Sequence, residues 1–583
     1  MTTAPNPSTA QARVVADELA RSGVVHVVVC PGSRSAALAI ALHEDHRLVV
    51  HVHPDERSAA FVALGIGRAT GVPAAVVVTS GTAVANLLPA TVEADRAAAP
   101  LLLLTADRPP ELRGTGANQT IDQVGLLPPV RWVVELPVAE DRPDAVRTWR
   151  SIVARAVATA RGDGGSLPGP VQIDVPMREP TVPAPDDGRS VAVPFVTPLD
   201  GRADGAPWLR MRGAEESDFD GRAALLAERL AGVQRGLILV GGPVGGVDAS
   251  AAAVDAIAEA TGWPVVAEVL AAARAGARAL AAGPWLLGDE GFAAEHRPEV
   301  VLQIGRPTLH VGWGRWVAGA SDAILIDPHA GIHDPTRSVS ELLVADPTRM
   351  LTALAARMNA GGDPGWATAW SDADARVVDV LERATMSGPL TGLHVARAVL
   401  ASVPAGVAVV AASSLPVRDL DLVAGRPRTP RVLANRGAAG IDGTVGTALG
   451  VALGTGRPVW GIVGDLAVLH DANGFLLQPA GASPPVTTMV VDNRGGRIFD
   501  GLPAAVHAPA FARLFTASPD RDLTLLGRLH GRNTVIIRNV DELALLGSAP
   551  PGAFMVAEVD PDQDLALRRW LRERVGAVLG GRG

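Results

Sequence analysis

The chain contains no lysine; its entire basic complement is arginine. Chemistry that needs a primary amine is thereby excluded. That covers Schiff-base catalysis, pyridoxal-phosphate enzymes included, and the phosphate-binding lysine of the P-loop. Tyrosine is absent too, and aromatic residues make up 3% of the chain. The one cysteine, Cys30, sits inside an apolar run, so an intrachain disulfide is impossible. Positive charge is in deficit: a formal net charge of −9 leaves no basic excess to neutralise phosphates, and nucleic acid is not an expected partner. No apolar run approaches the roughly 18 residues of a membrane span. The N-terminal MTTAPNPSTAQARVV has neither the basic start nor the apolar core of a secretory signal. A cytoplasmic protein without a membrane span is expected.

What is present is 583 residues, 48% hydrophobic and 19% charged, which suggests about three or four globular domains. The most informative stretch runs from Trp460 to Phe499. A short apolar run, Val459 to Val463, ends in Gly464-Asp465; a helix-like segment follows; a second run, Val486 to Val491, ends in Asp492-Asn493-Arg494-Gly495-Gly496. This reads as strand, crossover, strand. Parallel sheets bind ligands beyond the carboxyl ends of their strands, so Asp465 and Asn493 are expected to meet. A carboxylate, an amide oxygen and the Gly495 backbone carbonyl are hard oxygen ligands, suited to a Mg²⁺ shared with a diphosphate. Gly464 and Gly495 leave the backbone open to such a group. The alternative is an ordinary crossover with polar strand ends.

Other strand ends carry similar loops. Val24 to Cys30 ends in Pro31-Gly32-Ser33-Arg34-Ser35, where Gly gives backbone access, Ser a donor and Arg a fork for carboxylate or phosphate. The run before Asp55-Glu56-Arg57 leads into a helix from Ser58 to Arg68, and Glu56 is either a solvated helix-start acid or a catalytic one. Leu101 to Thr105 ends in Ala106-Asp107-Arg108-Pro109, followed by a polar loop through Gln119. Val407 to Ala412 ends in Ser413-Ser414, with Arg418 shortly after, and Arg436 opens a Gly-rich loop. Two glycine clusters are set aside as cofactor loops. Gly65-Ile66-Gly67 lies within a helix, and Gly241 to Gly246 lacks the dinucleotide spacing, so a structural turn is expected there.

The chain also repeats itself. Ala63-Leu64-Gly65 recurs as Ala448-Leu449-Gly450, an offset of 385 residues, and Val78, Pro100 and Asp107 meet Val463, Pro485 and Asp492 at the same offset. Two related α/β domains therefore flank a third. The expected boundaries are residues 1–185 and 385–583 for the outer domains and 223–360 for the central one, with linkers at 186–222 and 361–384.

The Gly464-Asp465 and Asn493 pair resembles the motif of thiamine-diphosphate enzymes, although Leu466 stands where many members have Gly and Asp492 where they have a first Asn. Two related α/β domains around a third is the architecture of the pyruvate-decarboxylase type within that group. The loops PGSRS, DERSAAF, TSGTAVANL, ADRPPELR, GANQT, SSLPVRD, NRGAAGIDG and DNRGGRIF together resemble the 2-succinyl-5-enolpyruvyl-6-hydroxy-3-cyclohexene-1-carboxylate synthases of menaquinone biosynthesis.

The resemblance implies three doubly wound parallel-sheet domains: pyrimidine-binding, central and diphosphate-binding. It implies thiamine diphosphate with Mg²⁺, or Mn²⁺, as cofactors. The implied reaction is a C–C bond-forming transfer in which 2-oxoglutarate loses CO₂ and is joined to isochorismate. Glu56 would hold the aminopyrimidine. Ile441, which lies 385 residues after Glu56, would wedge the cofactor, beside Gly440. Gly464, Asp465, Leu466 and Ala467 would surround the diphosphate, and Asp465, Asn493 and Gly495 would hold the metal. Ile498 and Phe499 would close the apolar side. Arg34, Arg108, Arg418 and Arg436 would bind substrate carboxylates, with Ser33, Gln119 and Ser414 as polar contacts. In the central domain only Arg306 and His310 are candidates to approach substrate. The first domain of one chain would face the last domain of another, giving a homo-oligomer, dimer or tetramer, with its active site at a subunit interface. The nearest alternative is another thiamine-diphosphate 2-oxoacid decarboxylase or an acetolactate-synthase-like enzyme.

Overall fold

The computed structural model describes residues 3–182, 193–212, 219–310, 312–358, 361–423, 429–507, 510–518 and 520–580. Their strands form three sheets. The first contains β1 (His26–Val29), β2 (Val49–Val52), β3 (Ala74–Val78), β4 (Leu101–Asp107), β5 (Trp132–Glu135) and β6 (Pro170–Pro176), in the order β2-β1-β3-β4-β6-β5, with parallel pairing throughout. The second contains β7 (Gly236–Val240), β8 (Val265–Ala267), β9 (Val300–Ile304), β10 (Asp322–Asp327) and β11 (Glu341–Val344), ordered β11-β10-β9-β7-β8 and parallel. The third contains β12 (Ala408–Ala411), β13 (Val432–Ala434), β14 (Val459–Gly464), β15 (Val486–Asp492), β16 (Thr534–Ile537) and β17 (Phe554–Glu558), ordered β13-β12-β14-β15-β17-β16.

The first and third sheets have one topology: each strand of the first has its counterpart in the third. β3 and β14 start 385 residues apart, as do β4 and β15, so the sequence repeat is also a repeat of fold. The inner strands are rich in Val, Leu and Ile, with few polar interruptions such as Gln172 and Gln303, because helices cover both faces of a parallel sheet. β3, β4 and β6 are buried along their whole length.

Two stretches depart from simple expectation. Residues 361–384, expected as a linker, form the helix Pro364–Ala384. Its buried Trp366, Trp370, Ala373, Val377 and Leu381 recur at helical spacing, which gives it a core-facing stripe. The crossover after Asp465 is helical only over Asp465–His470 and then continues as a 3₁₀ turn, Ala472–Leu476. Of the expected 186–222 linker, 186–192 and 213–218 lie outside the described residues.

By contacts the chain forms two compact units. One comprises residues 1–214, 435–459 and 470–485; the other comprises 215–434, 460–469 and 486–583. Among the described residues no helix is long and apolar enough to cross a membrane.

Candidate active site

In the first unit, β1, β3 and β4 are neighbours, so the loops at their carboxyl ends come together. Arg108, after β4, donates from Nη1 to Ser80 Oγ after β3 at 2.7 Å. Gln119 is tied to the same residue in both directions: its Nε2 donates to the Ser80 carbonyl at 2.8 Å, and Ser80 Oγ donates to the Gln119 carbonyl at 2.9 Å. Gln119 has φ of 55°, a left-handed conformation uncommon for a side-chain-bearing residue. Arg34, after β1, donates to the Met177 carbonyl at 2.8 Å and pairs with Glu179 at 3.2 Å. Burial, then the like charge of Arg108, makes Arg34 a weaker base than usual. Two mutually repelling guanidinium groups at one sheet edge favour an anion between them. Ser33 is exposed beside Arg34.

Below this edge lies a buried cluster that sequence reasoning missed. Asp174 accepts from Thr105 Oγ1 and Gln123 Nε2, both at 2.7 Å. Arg113 reaches Asp107 at 2.7 Å, Glu135 at 2.9 Å and Asp174 at 3.6 Å. Gln123 also accepts from the Gly81 N–H at 3.3 Å, linking the cluster to the Ser80 turn.

Glu56 opens the helix Glu56–Thr70. The N-cap is Asp55, which accepts from the Ser58 N–H at 3.1 Å and from Asn473 Nδ2 at 2.7 Å. Capping by Asp55 leaves Glu56 free of that duty. The Glu56 side chain makes no hydrogen bond or ion pair among the described residues. It lines a pocket of about 320 Å³ with Pro54, Asp55, Arg57, Asn86, Asn473 and Leu476. Burial, followed by the carboxylates of Glu56 and Asp55, pushes the Cys30 thiol well above its ordinary range, so Cys30 is an inert core residue.

The loop carrying Arg436, Gly440 and Ile441 belongs to the same unit. It is built around Glu93, buried in the first domain. The N–H groups of Gly437, Ala438 and Ala439 donate to its carboxylate at 2.7, 2.6 and 3.3 Å. Asp471 plays a similar part, accepting from Ser58 Oγ at 3.1 Å and the Gly446 N–H at 3.0 Å. Neither acid had a local sequence signal: Glu93 gathers N–H groups 344 to 346 residues away, and Asp471 accepts from Ser58, 413 residues earlier, and from Gly446 in the separate helix Thr444–Thr455. Ile441 keeps a 39% exposed side chain.

In the second unit, Asp465 follows β14 and accepts from the Leu466 N–H at 2.8 Å and the Gly495 N–H at 2.6 Å. The two strand ends of the crossover therefore meet. Burial raises the Asp465 carboxyl to about 6, and the charge of the neighbouring Asp492 adds to the rise. A Cβ on Gly464 would meet nothing within 4 Å, so the backbone there is open. Gly495 has φ of 111°, and a Cβ on it would lie 2.0 Å from the Thr516 carbonyl oxygen; only glycine fits. Asn493 is buried next to it, and Ala467 is buried in the short helix. Ile498 and Phe499 lie in the 3₁₀ turn Arg497–Gly501, where Phe499 packs edge-on against Phe515.

Ser414 and Arg418 are in this second unit too. Ser414 follows β12 with φ of 81°, a costly conformation of the kind that clusters at functional sites. Arg418, in the helix Leu415–Val423, donates from Nη1 to the Ser414 carbonyl at 2.7 Å. Burial lowers its pKa.

Two expectations concern the central sheet. His310, a candidate to approach substrate, is paired with Asp421. Gly241 and Gly242 form a packed turn: Gly242 exchanges backbone hydrogen bonds with Arg306 at 2.9 and 3.0 Å, and a Cβ on Gly241 would strike the Arg306 carbonyl.

Residues 10–126 match the family model described as thiamine pyrophosphate enzyme, N-terminal TPP binding domain. The chain is 41% identical over 592 residues to the 2-succinyl-5-enolpyruvyl-6-hydroxy-3-cyclohexene-1-carboxylate synthase of Saccharopolyspora erythraea, covering 99% of each. It is 42% identical to that of Thermobifida fusca, covering 98% of this chain and all of the relative. It is 38% identical to that of Rubrobacter xylanophilus, covering 96% and 97%. With strand-end arginines, a pocketed glutamate and a β14–β15 crossover joined through Asp465, and with relatives that match it end to end, the chain belongs to the 2-succinyl-5-enolpyruvyl-6-hydroxy-3-cyclohexene-1-carboxylate synthase family of thiamine-diphosphate enzymes.

Proposed function

We propose that the protein catalyses thiamine-diphosphate-dependent decarboxylation of 2-oxoglutarate and transfer of the succinyl unit to isochorismate, a step of menaquinone biosynthesis that forms the product its relatives are named for. The observation that carries the site assignment is the Asp465–Gly495 hydrogen bond, which joins the two halves of the cofactor motif. The residues fit the cofactor in three respects. Asp465 and Asp492 are neighbouring carboxyls, the first buried, whose pKa values are both raised; a divalent cation relieves that cost. Gly464 presents open backbone for a diphosphate. Glu56 is an unengaged carboxyl beside a pocket.

Asp465, Asn493 and the Gly495 carbonyl would hold Mg²⁺ or Mn²⁺. Gly440, Leu466 and Ala467 would flank the bound cofactor, and Ile441 would wedge it. Bound thiamine diphosphate supplies the electron sink for breaking the bond to the departing carboxylate. Glu56 holds and moves the proton at the aminopyrimidine. Arg34, Arg108, Arg418 and Arg436 fix the substrate carboxylates as forks, with Ser33, Gln119 and Ser414 as neutral partners. Ile498 and Phe499 exclude water on the apolar side. Residues 1–185 serve the pyrimidine and 385–583 the diphosphate. The working form is a cytoplasmic homo-oligomer, dimer or tetramer, with its active site at a subunit interface.

The test is product analysis with 2-oxoglutarate and isochorismate, each omitted in turn, with and without thiamine diphosphate and Mg²⁺. Cofactor-dependent formation of the joined product is expected only with both substrates. Turnover of pyruvate in their place would instead mark an acetolactate-synthase-like enzyme or another 2-oxoacid decarboxylase.

A further inference from the structure

The helix Leu415–Val423 is held by two buried ion pairs that touch none of the groups assigned to substrate. Asp421 pairs with His310 from the loop after β9. Its other carboxylate oxygen accepts from the Val269 N–H at 2.6 Å, and its backbone carbonyl accepts from Arg274 at 3.0 Å. Two residues earlier, Asp419 takes both arms of Arg568, from the helix Pro561–Leu579, at 2.6 and 2.8 Å. Both aspartates are buried. The His310 loop is itself pinned, since buried Glu268 accepts from the N–H groups of Thr308 and Leu309 at 2.8 and 2.7 Å.

Buried ion pairs are poor sources of stability, because desolvation cancels most of the attraction; their best-attested use is to fix geometry. The geometry at stake here is local. Arg418 precedes Asp419 directly, and its guanidinium donates to the carbonyl of Ser414, the strained residue at the helix start. A rotation or slide of this helix by a fraction of a turn would move both Ser414 and Arg418. The pairs come from opposite sides, one from the central sheet's loops and one from the C-terminal helix, and so oppose both movements.

We propose that Asp421–His310 and Asp419–Arg568 form a two-sided clamp whose members are positioning residues: they set the place of Arg418 and Ser414 at the substrate carboxylate. This gives the central sheet an indirect part in substrate binding, through Arg418 and Ser414, and rests on the assignment of Arg418 to substrate made above.

The test uses full-length enzyme saturated with thiamine diphosphate and Mg²⁺, varying each substrate in turn. Asp421→Asn should raise the KM for one substrate about tenfold, as displacement of a positioned group does, and leave the cofactor dissociation constant unchanged. In an Arg418→Lys background the same substitution should change that KM by no more than about twofold, since coupled sites are not additive. If Asp421→Asn does not accumulate as folded protein, His310→Gln carries the same test, because Asp421 then keeps its Val269 N–H partner. A folded variant with wild-type KM, or one whose effect multiplies fully with that of Arg418→Lys, overturns the clamp. Wild-type KM in Arg418→Lys alone removes Arg418 from the substrate site, and the clamp with it; that result is distinct from failure of the clamp with Arg418 retained.

Discussion

Gly65 and Gly450 face each other where the helices Glu56–Thr70 and Thr444–Thr455 cross. A Cβ on Gly65 would lie 2.3 Å from the Thr447 carbonyl oxygen, and one on Gly450 2.0 Å from that of Val62. Both the two glycines and the pair Val62 and Thr447 are 385 residues apart. Each copy of the repeat therefore meets the other through equivalent positions, as about a local two-fold axis. The glycines at 65 and 67 serve packing, Gly67 against the Pro100 carbonyl.

This crossing sets opposed effects on Gly65→Ala. Alanine favours an isolated helix by about 1 kcal/mol. Overpacking against backbone costs about 1–3 kcal/mol, and the obstacle is a carbonyl that no rotamer change can move. Overpacking wins, so Gly65→Ala and Gly450→Ala should each lower the midpoint of chemical unfolding. The double variant should cost less than the sum, because the first methyl already parts the helices. Additive losses would show that the two glycines act separately.

Glu56→Gln keeps the shape of the side chain and removes its proton chemistry. Turnover at saturating cofactor should fall by roughly 10²–10⁴, the usual worth of a positioned acid–base group. Stability should change little, since a carboxylate in a first helical turn contributes only about 0.3–1 kcal/mol. Single-turnover kinetics alongside a melting curve would separate the two effects, and unchanged turnover would remove Glu56 from the mechanism.

Asp465→Ala takes away the carboxylate that accepts from Gly495. Calorimetric titration of thiamine diphosphate should then lose its dependence on Mg²⁺, because a hard cation needs charged oxygen ligands. Titration as tight and as metal-dependent as in the wild type would place the metal elsewhere.

Burial raises the Asp174 carboxyl to about 7. A carboxyl raised in the folded state binds more protons folded than unfolded. Its contribution to stability is therefore present below the ordinary value, 3.8, and is lost as pH climbs through about 7. Asp174→Asn keeps an oxygen for Thr105 and Gln123 and abolishes the titration. Between pH 5 and pH 8 the wild type should lose at least about 1 kcal/mol relative to the variant, one pKa unit being about 1.4 kcal/mol. Parallel stability profiles would show that the carboxyl titrates alike in both states.

The features legible in the sequence were those that repeat locally. β3, β4, β9, β14 and β15 are predominantly apolar runs, and parallel topology places their polar successors, Arg108 and Asp465 among them, at one edge. Short edge strands such as Val432–Ala434 and Trp132–Glu135 carry too few residues for a pattern. Long-range acid partners were invisible: nothing near Glu93 announces that it will gather the N–H groups of 437–439. His310 shows the same limit in reverse. It stood out only as one of the two basic candidates in its loop, and its partner Asp421, 111 residues later, could not be read from that loop.

The arginines provide the last test. Arg34 and Arg108 share the edge of the first sheet, and their forks are held by the Met177 carbonyl and Ser80. Each retains further N–H groups for a ligand, since a guanidinium has five. A charge-assisted contact to a carboxylate contributes about 1.5–3 kcal/mol, roughly ten- to a hundredfold in binding. Lysine keeps the charge but is a point donor, so a bidentate contact becomes a single one. Arg34→Lys, Arg108→Lys and Arg436→Lys should accordingly each raise the KM of one substrate by about tenfold or more, with cofactor and Mg²⁺ affinities nearly intact. Arg34→Lys should act most strongly, because burial and the neighbouring Arg108 already disfavour its charge and an ammonium is harder to desolvate than a guanidinium. Steady-state kinetics with each substrate varied against saturating levels of the other gives the answer. Wild-type KM values in all three variants would place these strand-end arginines outside the carboxylate site and return the reading to a thiamine-diphosphate enzyme of another specificity.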